Sequence, residues 1–287
     1  MTIFEILIWI IVLLAFMFII FLYVVLYIKR RIYEILNENI PIEINIDNVN
    51  YPSELYTDKF NPNVLKYLIK ILLDFNTEIT NNIIIHSIDY MKIYYISYNK
   101  KKIIKLILDR YNNLWIVIRG TLTYNEFEHD LRISQVKIDN CDMKCHKGFC
   151  EIYSKIQKPL LNLLMTLSPN KIFALGHSLG GGILSIAAYD IFNILNKKEI
   201  ILYTTGTPRV CNKDFYNNCN KYNIHKVENL SDVYINAIPS VLPFYDNTVY
   251  YKIGKIWYFD VNYGNIILNH KLEIYFNNID NLKYLEI

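Results

Sequence analysis

The chain has 287 residues, 53% of them hydrophobic and 20% charged, with a mean hydropathy of +0.15. That balance excludes a mainly disordered protein, and the length suits one large domain or two small ones. Thirty basic against 27 acidic residues give a net charge of +3; Lys29, Arg30, Arg31 and Glu5 lie within the first 31 residues, which leaves 27 against 26 for the rest. So balanced a remainder carries no electrostatic footprint for nucleic acid, and five cysteines in so long a chain exclude a disulfide-dense scaffold.

No charged residue interrupts Ile6 to Ile28. At about 1.5 Å per residue the run makes roughly 35 Å of helix, enough to cross a hydrocarbon core. The basic residues follow the run rather than precede it, and Tyr27-Ile28-Lys29 offers no small-residue cleavage site. Residues 1–31 therefore read as an uncleaved single-pass anchor with a basic flank, not as a signal peptide. The positive-inside rule puts the domain that follows in the cytosol. An odd cysteine count with no pairing scheme suits that reducing compartment.

Residues 32–60 mix charged, polar and apolar side chains around Pro41 and Pro52 and read as a linker or peripheral extension. Asn61-Pro62 predicts a helix start, with Asn as N-cap and Pro in the first turn. Val64, Leu65, Leu68, Ile69 and Leu72 follow at helical spacing. Strands are predicted over Met91–Tyr98 and Ile103–Asp109, joined by a lysine-rich turn at 99–102. Leu114–Ile118 reads as a buried strand, Phe149–Leu167 as a helix ended by Ser168-Pro169-Asn170, and Lys171–Leu175 as another buried strand. A helix over Leu179–Leu195 and strands over Ile200–Thr204 and Ile224–Asn229 complete the pattern. Strands alternating with helices predict an α/β domain over 61–287, with a mostly parallel central sheet flanked by helices.

Gly176-His177-Ser178-Leu179-Gly180 fits G-x-S-x-G. The match gains weight from its setting, a predicted strand before it and a helix after it. Four of only nine glycines fall between 176 and 182, in a chain otherwise rich in bulky residues. Glycines on both sides of the serine let the strand and helix backbones approach, and the sharp turn lifts the hydroxyl above the sheet. A serine nucleophile needs a base, and the base needs an orienting carboxylate. In a hydrolase of this kind the order along the chain is serine, acid, histidine. Asp232 follows a predicted strand end in Asn229-Leu230-Ser231-Asp232, and His270 is the one histidine after it. Asp246 and Asp260 are rival acids, since both also precede His270; Asp190 comes too soon, and His225 falls within a strand. The oxyanion would be held by the N–H of Leu179, the residue after the nucleophile, and by Thr121 in the loop Arg119-Gly120-Thr121. Acyl transfer of this type needs no metal and no organic cofactor. Cys141, Cys145, His146 and Cys150 cluster, but their spacing suits small residues at a strand–helix junction better than a zinc site.

These motifs resemble the class 3 (fungal-type) triacylglycerol lipases of the α/β-hydrolase fold over roughly residues 90–276. Trp115 to Thr121 is similar to that family's strand and first oxyanion residue, His146-Lys147-Gly148-Phe149 to its helix opening, and Gly176 to Gly181 to its elbow. Thr204 to Val210 resembles its Gly-x-Pro-Arg-Val strand end, Asn229 to Asp232 its acid motif and Asn269-His270 its histidine motif. Two departures stand out. Val233-Tyr234 replaces the usual Pro-Val after the acid, and Asn269 stands where the family usually has Asp. The resemblance implies a serine esterase acting on acylglycerols or related lipids, with Ser178, Asp232 and His270 as triad, and the anchor puts that lipid substrate at a membrane surface. The resemblance also implies a lid after the first oxyanion residue, where Tyr124, Phe127 and Leu131 recur at helical spacing within Leu122–Leu131. The same pattern suits a plain surface helix capping the sheet. A phospholipase or thioesterase, or a catalytically silent binding protein, would use the same scaffold.

Overall fold

The computed structural model describes Met17 and residues 49–81, 90–121, 132–138, 142–195, 199–242 and 248–286. The candidate lid 122–131, the rival acid Asp246, Cys141 and, but for Met17, the apolar run 6–28 lie outside the described residues. Among the described residues no helix is long and apolar enough to cross a membrane.

The domain runs α1 (Pro62–Asn81), β1 (Tyr90–Tyr98), β2 (Lys101–Asp109), β3 (Leu114–Ile118), β4 (Gln135–Lys137) and β5 (Lys144–His146). It continues through α2 (Lys147–Leu167), β6 (Lys171–His177), α3 (Leu179–Ile194), β7 (Glu199–Thr205), α4 (Lys213–Cys219) and β8 (Ile224–Asn229). After the short strands β9 (Val241–Leu242) and β10 (Thr248–Val249) come β11 (Lys255–Phe259), α5 (Ile266–His270), α6 (Leu272–Asn277) and β12 (Lys283–Tyr284). Among the described residues eight strands form the main sheet, in the order β1-β2-β3-β6-β7-β8-β11-β12. The five central strands from β3 to β11 are parallel. β1 and β2 extend one edge and β12 the other, all antiparallel. Two small ribbons, β4–β5 and β9–β10, lie apart from the sheet.

The period-2 alternation of the strands decides which layer each side chain joins. Leu114, Ile116, Ile118, Ile172, Ala174, Ile200, Leu202 and Ile224 pack with α2 and α3. Trp115, Val117, Phe173, Leu175, Ile201, Tyr203 and Val227 pack with α1 and α6 on the other face. Both faces are thus sealed by helices, as a parallel sheet requires. Asn61 caps α1 as its sequence predicts, Oδ1 accepting from the N–H groups of Asn63 and Val64 at 3.1 and 3.2 Å.

Three features differ from the sequence reading. The β1–β2 turn is tighter, because Asn99 and Lys100 both take positive φ (47° and 66°) and close a two-residue hairpin, leaving Lys101 and Lys102 in the strand. Cys145 at the end of β5 and Cys150 in the first turn of α2, with Cα atoms 6.4 Å apart, are joined as a disulfide, so a pairing scheme does exist; Cys211 and Cys219 are free and buried. From Val49 onward the stretch before α1 lies against the domain, with Val49, Tyr51, Leu55 and Phe60 packed on the core beneath α1.

The polar tie of that stretch is Asp109. Its buried carboxylate accepts from Tyr51 Oη (2.7 Å), Trp115 Nε1 (2.9 Å), Asn113 Nδ2 (3.2 Å) and the N–H groups of Tyr111 and Asn113 (both 2.8 Å). Asp109→Ala leaves a set of buried donors unsatisfied and is expected to cost about 3 kcal/mol or more, against about 1.5 kcal/mol for Tyr51→Phe. Urea unfolding at unchanged m-value reads both, and equal small losses would show that Asp109 is not the hub.

Candidate active site

Strand β6 delivers its carboxyl end to the elbow. Ser178 caps α3 with φ 56° and ψ −123°, a left-handed backbone for a non-glycine residue. This is the strained turn that a nucleophile elbow requires. Its N–H donates to Thr205 O (2.9 Å), which ties the elbow to the end of β7. The close approach needs glycine. A Cβ on Gly180 would collide with Ile118 O, and one on Gly176 with Gly180 O. Helix α3 therefore sits directly against the end of β3.

Asp232 stands past the end of β8. It is buried and caps a single 3₁₀ turn, Val233–Asn236, by accepting from Tyr234 N at 2.9 Å through Oδ1. His270 is the last residue of α5. Its Nδ1 lies 2.7 Å from Asp232 Oδ2 and its Nε2 lies 2.8 Å from Ser178 Oγ. A carboxylate only accepts, so Nδ1 carries the proton and Nε2 is left to accept from the serine hydroxyl. The structure thus brings together the three residues that the sequence picks out. The others are elsewhere. Asp260 accepts from Ser231 Oγ on the surface, and Asp190 accepts from Tyr153 and Gln157. His225 is buried on the α1 side of the sheet against Phe60, its Nδ1 accepting from Trp257 Nε1.

The oxyanion candidates flank the serine. Leu179 opens α3, so its N–H belongs to the first helical turn, which has no intrahelical acceptor. The loop bearing Thr121 passes beside the nucleophile, since a Cβ on Gly120 would lie 3.4 Å from Ser178 Cβ. Buried Arg119 holds that loop, its Nε donating to Lys102 O (2.7 Å) and its Nη1 to Gly120 O (2.8 Å).

Several contributors escape sequence reasoning. Tyr275 on α6 donates its buried hydroxyl to Asp232 Oδ2 at 2.6 Å. Burial, then the Asp232 charge, push its phenol well above the usual range, so it stays a donor. Tyr234 and His177 flank the His270 ring, with centroids 4.2 and 4.9 Å away. His177 Nδ1 meets Thr205 Oγ1 at 3.0 Å. Burial, then the neighbouring His270, hold the His177 imidazole well below its usual pKa, so it adds no charge beside the triad. Gly206, at φ 58°, floors both rings; a Cβ there would sit 3.0 Å from His270 Cε1 and 3.1 Å from His177 Cε1. Tyr275 lies in no motif; His177, Gly206 and Tyr234 lie in or beside the motifs, but only the fold sets them against the His270 ring.

Tyr275→Phe removes one of the two bonds on Asp232 Oδ2. It is expected to lower kcat on a soluble ester about three- to tenfold with KM unchanged. An unchanged kcat would show that Tyr275 is packing alone.

The family model for lipase (class 3) matches residues 115–242. A lipase of Rhizomucor miehei is 31% identical over 117 residues, which is 38% of this chain and 32% of that protein. The chain thus spans about a third of the length of the curated relatives it matches. Among solved structures, a lipase of Rhizopus microsporus var. chinensis superposes with a TM-score of 0.54 at 18% identity, over 76% of this chain and 81% of that one. A triacylglycerol lipase of Penicillium expansum gives 0.53 at 16% identity, over 68% and 80%. At such identities the superpositions speak for the fold alone, which is that of the α/β-hydrolases. The stretch that holds Ser178 and Asp232 is therefore similar to the class 3 lipases in sequence, within a domain of α/β-hydrolase fold.

Proposed function

We propose that this chain is a membrane-anchored serine lipase that hydrolyses the carboxylic esters of acylglycerols through an acyl-enzyme. The observation that carries the reading is the unbroken chain of hydrogen bonds from Ser178 Oγ through His270 to Asp232, at 2.8 and 2.7 Å. In this mechanism Ser178 Oγ attacks the ester carbonyl while His270 Nε2 takes its proton. The N–H groups of Leu179 and Thr121 hold the oxyanion of the tetrahedral intermediate. His270 then gives its proton to the departing alcohol. A water molecule, deprotonated by the same nitrogen, attacks the acyl-enzyme and releases the acid. Asp232 holds the imidazole in the productive tautomer and stabilises the imidazolium.

The lipid preference is supported by the rim of the site. Leu230, Val233, Tyr263 and Ile266 are all exposed, on the loops that carry the acid and the base. Across Leu230–Leu242 and Val261–Asn269 the one charged residue is the buried Asp232. Such an uncharged border is suited to a lipid surface. The anchor is read from Ile6–Ile28 and the cytosolic side from Lys29, Arg30 and Arg31. In this reading the substrate is a lipid already in the bilayer that the anchor holds.

The test is a panel of a soluble nitrophenyl ester, a diacylglycerol, a triacylglycerol and a phosphatidylcholine, with Ser178→Ala alongside. Turnover is expected to be fastest on a neutral glyceride and to fall about a thousandfold or more in the variant. Faster cleavage of phosphatidylcholine would move the reading to a phospholipase. No turnover by folded protein would overturn it in favour of a silent scaffold.

A further inference from the structure

Resting on that reading, we infer that Asn229 and Asn269 form an amide clamp that sets the distance between the catalytic acid and base, and that an amide, not a carboxylate, is required at 269. The two residues lie on the two loops that must meet. Asn229 ends β8, three positions before Asp232, and Asn269 immediately precedes His270. Both are buried. Asn229 Nδ2 donates to Val261 O (3.0 Å) and to Asn269 O (3.1 Å), while its Oδ1 accepts from Ser231 N (3.3 Å) and Val261 N (3.0 Å). Asn269 answers from the other side. Its Nδ2 donates to Ser231 O and to Asn262 Oδ1, both at 3.1 Å, and its Oδ1 accepts from Tyr263 N at 2.8 Å.

Each loop is thus gripped by a side chain of the other. Asn229 holds the backbone of the histidine loop, and Asn269 holds the backbone of the acid loop beside Asp232. Both donors of each amide are used, and Asn229 uses both lone pairs of its oxygen as well. The chemistry at 269 is directional. The Nδ2 position faces two oxygens and the Oδ1 position faces an N–H. An ionised aspartate keeps the shape but sets a carboxylate oxygen against Ser231 O and Asn262 Oδ1 in a buried place, where unmatched acceptors are costly. It also adds a charge next to His270. Asn229 and Asn269 are positioning residues, since neither touches the serine or the place of the substrate.

The test compares Asn269→Asp with Asn269→Ala in the full-length protein. A residue that merely fills space would tolerate the isosteric aspartate better than alanine; the clamp predicts the reverse. At pH 8 on a soluble nitrophenyl ester, kcat is expected to fall about tenfold in the alanine variant and about a hundredfold in the aspartate variant, with KM within about twofold. Asn262→Ala removes one of the opposing oxygens and is expected to restore part of the kcat lost by Asn269→Asp when the two are combined. Thermal melting gives a readout independent of activity. The aspartate variant is expected to melt below the alanine variant at pH 8. A buried carboxyl facing oxygens takes up its proton more readily folded than unfolded, so that gap is expected to close as pH falls toward 5, when the carboxylic acid donates again. An aspartate variant as active as the alanine variant, with a pH-independent melting gap, would overturn the clamp. Wild-type protein that turns over no ester would defeat the lipase reading instead, and the melting comparison would still decide on the clamp.

Discussion

The chemistry proposed for this domain depends on one imidazole facing two ways. His270 must present a protonated nitrogen to Asp232 and a bare one to Ser178, and the two bonds span 38 and 92 positions of sequence. No local element makes that arrangement. The parallel sheet does, because β6 and β8 both end at the same edge and release Ser178 and Asp232 there. His270 arrives on a five-residue helix after β11, which pairs with β8 in parallel. Once the acid fixes the tautomer, Tyr275 fixes the acid, and Gly206 leaves room for the ring.

Several buried polar groups of the interior are paired through specific, directional bonds. Lys105 on β2 and Glu78 on α1 form an ion pair at 2.6 Å with both side chains fully buried, and Tyr95 adds a bond to the same carboxylate. Lys226 on β8 donates to Thr207 O, and Glu228 is bonded to Lys252 at 2.8 Å. Burial lowers the Lys226 ammonium to about 8, with Glu228 acting against that shift. Such groups add less net stability than apolar residues of the same size would, and cost much when one partner is lost. Around His270 that economy serves geometry. Asn229, Asn269 and Tyr275 hold the reacting pair without placing a further charge beside it.

The elbow was legible in the sequence because strand, turn and helix are all local, and because glycine is rare in this chain. The candidate acid and base, which the structure brings to Ser178, were legible by order along the chain, with His270 the one histidine left after Asp232. Tyr275 was not, because its partner lies 43 positions away. The role of Asn269 was hidden too. The residue is visible as a departure from a family pattern, but its bond to Ser231 O, 38 positions back, exists only once the acid loop lies beside it. Buried Lys105 and Lys226 sit on strands where a lysine reads as solvent-facing, and only the partners the fold brings to them, Glu78 and Thr207, explain them. Strand β11 gives no clear signal in the sequence because Lys255, Trp257 and Tyr258 alternate poorly, and its register comes from β8 alongside it. Residues 49–60 read as a tether for the same reason. The tie to the domain is Tyr51 reaching Asp109, 58 positions on.

The most direct measurement is covalent labelling of the full-length protein with a fluorophosphonate, located by peptide mass spectrometry. A single adduct on Ser178 is expected, lost in His270→Ala, because only a serine activated by that imidazole is nucleophilic enough to react. Folded protein that takes no label, or takes it at another residue, would contradict the claim that the bonds from Asp232 to Ser178 are catalytic machinery.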